Sequence, residues 1–303
     1  MPLWLLVTLL AAFGQNVRSG VQKHLKGAMG TGAVTFVRFG FGWPFALLYL
    51  AVITQGFGGE VPALTAPFAA WTTVGSLAQI GAQALLIALF SLRNFAAGSA
   101  YARVEPVQAA IIGIVVLGDA ISPLAWLGIA IGVSGVLALS ASDDLRPLAL
   151  LRALGTRAAL MGLACATLFG LSAVAYRAAG LSLGDPDTAL RAFTQASVVN
   201  SAAIVFQTLL LGAWLTWRTP HEWRAMAGAW KPSLLVGFVG ATVTLGWFVA
   251  FVLQPAAIVK AVAQVELLFA VLTSAIVFRE RISPKELAGC ALIALGVVVL
   301  LSG

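Results

Sequence analysis

The sequence predicts an all-α membrane protein of ten transmembrane helices, arranged as two inverted five-helix repeats. Three observations lead there. Hydrophobic side chains make up 60% of the 303 residues and charged ones 10%, against about 45–50% and about 25% in soluble domains. One stretch of the chain repeats another in register, and basic residues exchange loops between the two copies.

A span needs about 20 apolar residues at ~1.5 Å rise each to cross ~30 Å of hydrocarbon. Runs bounded by Gly, Pro and charge place spans at 3–22, 31–53, 70–92, 95–117, 123–141, 158–180, 188–215, 232–253, 256–278 and 284–302. The first run, Met1 to Ala12, has no basic segment before it and reads as a helix rather than a signal peptide. Asn94 and Pro255 supply the breaks at the two tightest connections. Trp4, Trp71, Trp126, Trp214, Trp223 and Trp230 fall near span ends, as interface anchors do.

Composition also excludes functions. The net charge of +7 is scattered through short connectors, so it reads as a topology signal and not as a nucleic-acid surface. Cys165 and Cys290 lie inside apolar runs, and His24 and His221 are too few for an imidazole cluster. No metal site, cofactor, phosphate loop or nucleophile elbow is expected, and the chain does not read as an enzyme. The expected partners are a small-molecule substrate and the lipid bilayer, with the chain a monomer or homodimer.

The repeat aligns Ala102 to Ser140 with Ala263 to Leu301 without gaps. Glu105 matches Glu266, Ile121-Ser122-Pro123 matches Ile282-Ser283-Pro284, Gly128 matches Gly289, and Gly135 matches Gly296. A weaker echo pairs Phe13-Gly14 with Phe169-Gly170. The implied division is a first repeat at 1–145, a cytoplasmic linker at 146–157 and a second repeat at 158–303.

Five helices per repeat is an odd number, so tandem copies must lie in opposite orientations. The charges test this. Arg18, Lys23 and Lys26 in one connector correspond to Asp185 and Asp187, and Glu60 corresponds to Arg218, Arg224 and Lys231. Arg93 corresponds to Gln254, and Asp119 to the cluster Arg279, Arg281 and Lys285. With Arg146, Arg152 and Arg157 of the linker, these place one side in the cytoplasm and both termini in the periplasm. Arg38, Arg103, Arg177, Arg191 and Lys260 need another explanation.

The paired motifs "VEP…GDAISP…G…G" and "VEL…RERISP…G…G" resemble the repeat of the EamA-type branch of the drug/metabolite transporter superfamily. The resemblance implies a ten-helix secondary transporter of a bacterial inner membrane, exporting metabolites, with aromatic or neutral amino acids as the leading substrates. Efflux of drugs or lipophilic cations is the alternative. The second copy lacks the Pro that follows Glu105, and the first ends its helix in Asp119 rather than Glu.

Several polar side chains fall inside spans, where an ionisable group costs about 2.5–3.5 kcal/mol and marks a functional hypothesis. Glu105 and Glu266 are expected ten residues into their helices, near the midplane at the repeat interface. The alternative for each is a hydrogen bond that holds the bundle together. Lys260 reads either as a contact for a substrate carboxylate or charge relay, or as a snorkelling residue. Gln79 and Gln83 share a helix face. With Gln15, Asn16, Tyr101, Ser172, Tyr176 and Thr244 they make a candidate polar lining, Thr242 being a further possibility, against the alternative of interhelical hydrogen bonds. Trp43 and Trp247 lie well inside their spans; Trp247 offers a ring to an aromatic substrate, against the alternative of lipid-facing or core packing. Arg38 and Arg191 read as helix-end anchors, with ligand contact as the alternative for each. Gly128, Gly132 and Gly135 permit close helix approach, within the chain or between two chains.

Overall fold

The computed structural model describes residues 1–25, 29–89, 101–140, 156–277 and 283–302. Among these residues all regular structure is helical, with no strand. The helices are α1 (Leu3–Leu25), α2 (Thr31–Gly40), α3 (Trp43–Ala51), α4 (Ala66–Leu89), α5 (Glu105–Leu117), α6 (Pro123–Ser140), α7 (Arg157–Leu181), α8 (Ala189–Arg218), α9 (Glu222–Gly228), α10 (Trp230–Leu253), α11 (Ala256–Ala263), α12 (Glu266–Val277) and α13 (Pro284–Leu301). Among the described residues, five segments, Gly32–Gly56, α7, α8, α10 and α13, are long and apolar enough to cross a membrane. Arg93, Asn94, Lys26, Arg279, Arg281 and linker residues 146–155 lie outside the described residues.

Three local expectations change. The span expected at 31–53 is two helices: Pro44, in the first turn of α3, lacks the N–H that would continue α2, and a π-helical turn at Val52–Gly56 extends the end. Arg18, expected in a connector, is an interior residue of α1 and is only 7% exposed. Arg218 likewise belongs to a helix, as the last residue of the 30-residue α8.

The chain forms two compact units. The first takes residues 1–77 and 175–254, and the second takes 78–174 and 255–303. In the first unit α1 packs along α10, and α8 packs against α2, α3 and α10. A core of Leu25, Val34, Phe36, Val37, Leu215, Met226 and Val236 joins α1, α2, α8, α9 and α10. In the second unit α6 packs on α13, and α5 packs on α11. Each unit draws helices from both halves of the sequence.

The strongest repeat identities have structural causes. Ser122 accepts the N–H of Ala125 at 3.1 Å at the start of α6. Ser283 accepts that of Glu286 at 3.2 Å, while Glu286 accepts from the Ser283 backbone, closing a capping box on α13. Both caps precede a proline, whose missing N–H costs nothing in a first turn. Gly118, at φ +67°, ends α5 in the left-handed conformation that glycine adopts without strain.

The glycines at fixed register hold α6 against α13. A Cβ on Gly128 would lie 2.7 Å from the Gly296 carbonyl oxygen, and one on Gly135 would lie 2.8 Å from that of Gly289. Built on Gly289 and Gly296, it would meet the carbonyls of Gly135 at 3.0 Å and Gly128 at 2.8 Å. The two helices run antiparallel in backbone contact, which only residues without a side chain allow. In this structure the glycine series serves packing within the chain.

Candidate functional site

The helix expected at 95–117 is interrupted. A helical stretch ends at Ala102, a turn occupies Arg103 and Val104, and α5 begins at Glu105. The helix expected at 256–278 is interrupted at the matching place, where Gln264 and Val265 separate α11 from α12 and α12 begins at Glu266. The same bonds bridge both breaks: Val104 N–H donates to Tyr101 O at 3.3 Å and Gln108 N–H to Val104 O at 3.3 Å. Their repeat equivalents run from Val265 to Val262 at 3.0 Å and from Phe269 to Val265 at 3.1 Å.

Glu105 and Glu266 are therefore first residues of half-helices and not mid-helix residues. A carboxylate in that position faces the positive end of the helix dipole. Pro106 explains the first break, because its ring cannot follow a continuous helix. The second break has Leu267 in the proline's place and forms regardless.

Within the second unit, the α5 break faces α11. Lys260 Nζ lies 2.7 Å from Glu105 Oε1, with the two side chains 22% and 20% exposed, and 6.0 Å from the centre of the Phe169 ring. Lys260 is thus an ion-pair partner and does not snorkel. The echo residue Gly170 lets α7 close on α5, with a Cβ there 3.1 Å from the Ala109 nitrogen. Ser172 is buried one helical turn from Phe169, and Tyr101 is buried just before the break. Gln264, in the second break, has both amide atoms buried with no hydrogen-bond partner, and its oxygen packs 2.8 Å from where Gly132 would carry a Cβ. Gln79 and Gln83 are half-buried on the part of α4 in this unit, and Glu266 is half-buried as well.

The remaining candidates belong to the first unit. Trp247 donates its indole N–H to Gln15 Oε1 at 3.3 Å and stacks on Phe251, so its ring is part of the core here. Asn16 is half-buried beside Gln15 on α1. Tyr176 donates to Ser76 Oγ at 3.2 Å and accepts from Gln207 Nε2 at 3.2 Å, a buried network tying α7, α4 and α8. Thr242 bonds Tyr49. Thr244 donates to the Gly240 carbonyl at 2.7 Å and accepts from Arg38 Nη2 at 3.2 Å.

Arg38 therefore turns into the bundle and is not a helix-end anchor; the Phe39 ring, 5.1 Å away, adds a cation–π contact of about 0.5–2 kcal/mol. Arg191, by contrast, is an exposed helix-end residue paired with Asp187 at 3.1 Å. Arg177 donates to the last carbonyls of α10, those of Phe251 at 2.7 Å and Val252 at 3.3 Å. Arg103 is exposed.

Arg18, Gln207, Ser76 and Gln264 were not legible as site residues. A polar side chain inside an apolar run was the available signal for Gln207, and α1 running on past Gln15 and Asn16 was the signal for Arg18. A groove of about 290 Å³ in the first unit is lined by apolar groups such as Leu10, Phe193 and Val243, and among the candidates only by Thr242.

Residues 156–302 match the EamA-like transporter family. The matched segment begins just before α7 and covers the second sequence repeat, so the Ser-Pro cap of α13 and the break before Glu266 fall inside it. No curated protein matches the sequence. A solved structure described only as "Crystal structure of protein" superimposes with a TM-score of 0.72 over 98% of this chain and 94% of its own, at 16% identity. At that identity the likeness concerns the fold. The EamA match and the apolar helices together support a multi-pass membrane protein that transports small substrates.

Proposed function

We propose that this protein is a secondary transporter that exports small metabolites, first of all aromatic or neutral amino acids, across a bacterial inner membrane by alternating access. The observation that carries the reading is the pair of matched helix breaks, each followed by a glutamate. Interrupted helices inside a membrane leave backbone groups free and place half-helix ends at ligand sites. The antiparallel glycine contact, in which repeat-equivalent residues exchange roles, supports two inverted five-helix repeats. The charge exchange between matched loops supports termini on the periplasmic side.

In this reading Lys260 and Glu105 form the polar centre of the second unit. A zwitterion can insert between them, its carboxylate meeting the ammonium and its amine the carboxylate, with Ser172 and Tyr101 completing the hydrogen bonds and Glu266 at the matching break. The pairing of Glu105 with Lys260 disfavours lipophilic-cation efflux, which calls for an uncompensated buried carboxylate.

Counterflow in proteoliposomes tests the proposal against amino acids, sugars, nucleosides and cationic dyes. Saturable exchange of aromatic or neutral amino acids is expected. Flux of cationic dyes alone would transfer the assignment to drug efflux, and no flux of any solute would reject transport.

A further inference from the structure

The first unit holds a charge arrangement that the proposed zwitterion site does not use. Arg18 on α1 is 7% exposed, and Arg38 on α2 turns inward to Thr244. The two guanidinium groups are close enough for their charges to oppose each other. Gly240 of α10 lies against both side chains: a Cβ there would crowd Arg38 Cγ at 3.1 Å and would touch Arg18 Cδ at an ordinary 3.7 Å.

No acidic side chain among the described residues is ion-paired with Arg38. Its hydrogen-bond acceptor is a neutral hydroxyl, and Arg38 Nε is buried with no hydrogen-bond partner. Two of the carboxylates in this unit are engaged elsewhere, Glu222 with the Gly30 N–H and Asp187 with Arg191. Tyr176, the other group whose charge would act on Arg38, has its hydroxyl engaged by Ser76 and Gln207.

We propose that Arg18 and Arg38, the latter positioned by Thr244, form a binding site for the oxyanion group, carboxylate or phosphate, of a small solute. A guanidinium presents parallel N–H donors in a planar fork, which an oxyanion accepts in pairs and a single hydroxyl cannot. An anion between the two arginines would occupy the Arg38 Nε donor and cancel the repulsion between like charges in an apolar bundle. The Thr244 hydroxyl proton is committed to the Gly240 carbonyl, so Thr244 holds Arg38 in place and does not compete as a donor. This site stands independently of the export reading, because it is tested by binding alone.

The test uses the full chain in phosphatidylcholine nanodiscs, titrated with sodium phosphate and sodium benzoate, with choline chloride at equal ionic strength as reference. Binding is read by calorimetry and by the shift in melting temperature. Saturable stabilisation by phosphate or benzoate is expected in the wild type, falling about tenfold or more in affinity in Arg38→Gln and Arg18→Gln. Arg38→Lys keeps the charge and loses the fork, and is expected to weaken binding about fivefold. It also covers the case in which Arg38→Gln does not fold. Wild-type affinity in Arg38→Lys and Arg18→Gln, or equal stabilisation by choline chloride, would overturn the proposal. Stabilisation that appears only when phosphatidylglycerol replaces phosphatidylcholine would overturn it in favour of a lipid headgroup. If anion binding persists without amino-acid flux, the export reading fails and the oxyanion site stands.

Discussion

The two units treat a buried positive charge in opposite ways. In the second, Lys260 meets a carboxylate at 2.7 Å, and the pair is close to neutral. In the first, Arg38 meets a hydroxyl and lies beside a second guanidinium. A charge with a matched partner contributes to holding helices together, and removing one member leaves the other exposed to an apolar surrounding. A charge lacking a matched anion raises the energy of the bundle that contains it, and is retained only if something else makes use of it. The helix pairs α6–α13 and α1–α10 also differ in how they touch. The α6–α13 contact sets backbone on backbone, whereas Gly246 in the α1–α10 contact faces Ala11 Cβ at 3.3 Å.

The largest effect is expected where the charges match. Lys260→Met or Glu105→Gln should each destabilise the protein by about 2–4 kcal/mol, less than for a fully buried pair because both groups are partly exposed. The same variants should abolish counterflow. The exchange Glu105→Lys with Lys260→Glu should recover most of the stability. Thermal melts in detergent check this, and single variants as stable as wild type would erase the contrast between the units.

Helix contact comes next. Gly135→Ala and Gly296→Ala should each cost about 1–3 kcal/mol, because backbone atoms cannot give way to a methyl group. Gly246→Ala should stay within about 0.5 kcal/mol of wild type. Denaturation midpoints compare the three directly.

Arg38→Met is the sharper probe of the first unit. With no ion pair to lose and a like charge removed, it should leave the melting temperature unchanged or raise it by about 1 kcal/mol equivalent. A loss as large as that of Lys260→Met would mean that Arg38 is as structurally engaged as the lysine.

The smallest effect is expected at the second helix break. Leu267→Pro reproduces the Glu-Pro pair of α5 and removes one hydrogen bond, from Leu267 N–H to Gln264 O at 3.0 Å. It should change stability by less than about 1 kcal/mol, since the chain already breaks there. Strong destabilisation would show that the two breaks are not equivalent.

What could be read beforehand follows a physical division. Apolar runs locate helices because burial in lipid is set by local composition, and among the described residues five helical segments are long and apolar enough to span. Ser-Pro was legible because a cap and its proline act on their own neighbours in the chain. The interruption before Glu266 was not, because no residue there forbids a helix. Pairing was equally hidden. Arg103 stands two residues from Glu105 in sequence, yet the carboxylate is met by Lys260 from α11. Arg18 reads as part of a basic loop because it shares a segment with Lys23 and Lys26, and its burial comes from α10, far along the chain, against which α1 packs. The function of the polar lining residues rests on such long-range placement, which composition does not encode.

The glycine contact between α6 and α13 has one more consequence. Gly135 touches Gly289, but its counterpart in the other repeat is Gly296, so spatial neighbour and sequence twin are different residues. A chain assembled from two copies of the first repeat would keep a glycine at each of these four places and could remake that seam with nothing added. It could not remake the charge at Glu105, because in the same register the position matching Lys260 in the first repeat is Ser99, which carries no charge. Duplication supplies the scaffold twice over, and a single lysine gives the molecule its handed polarity.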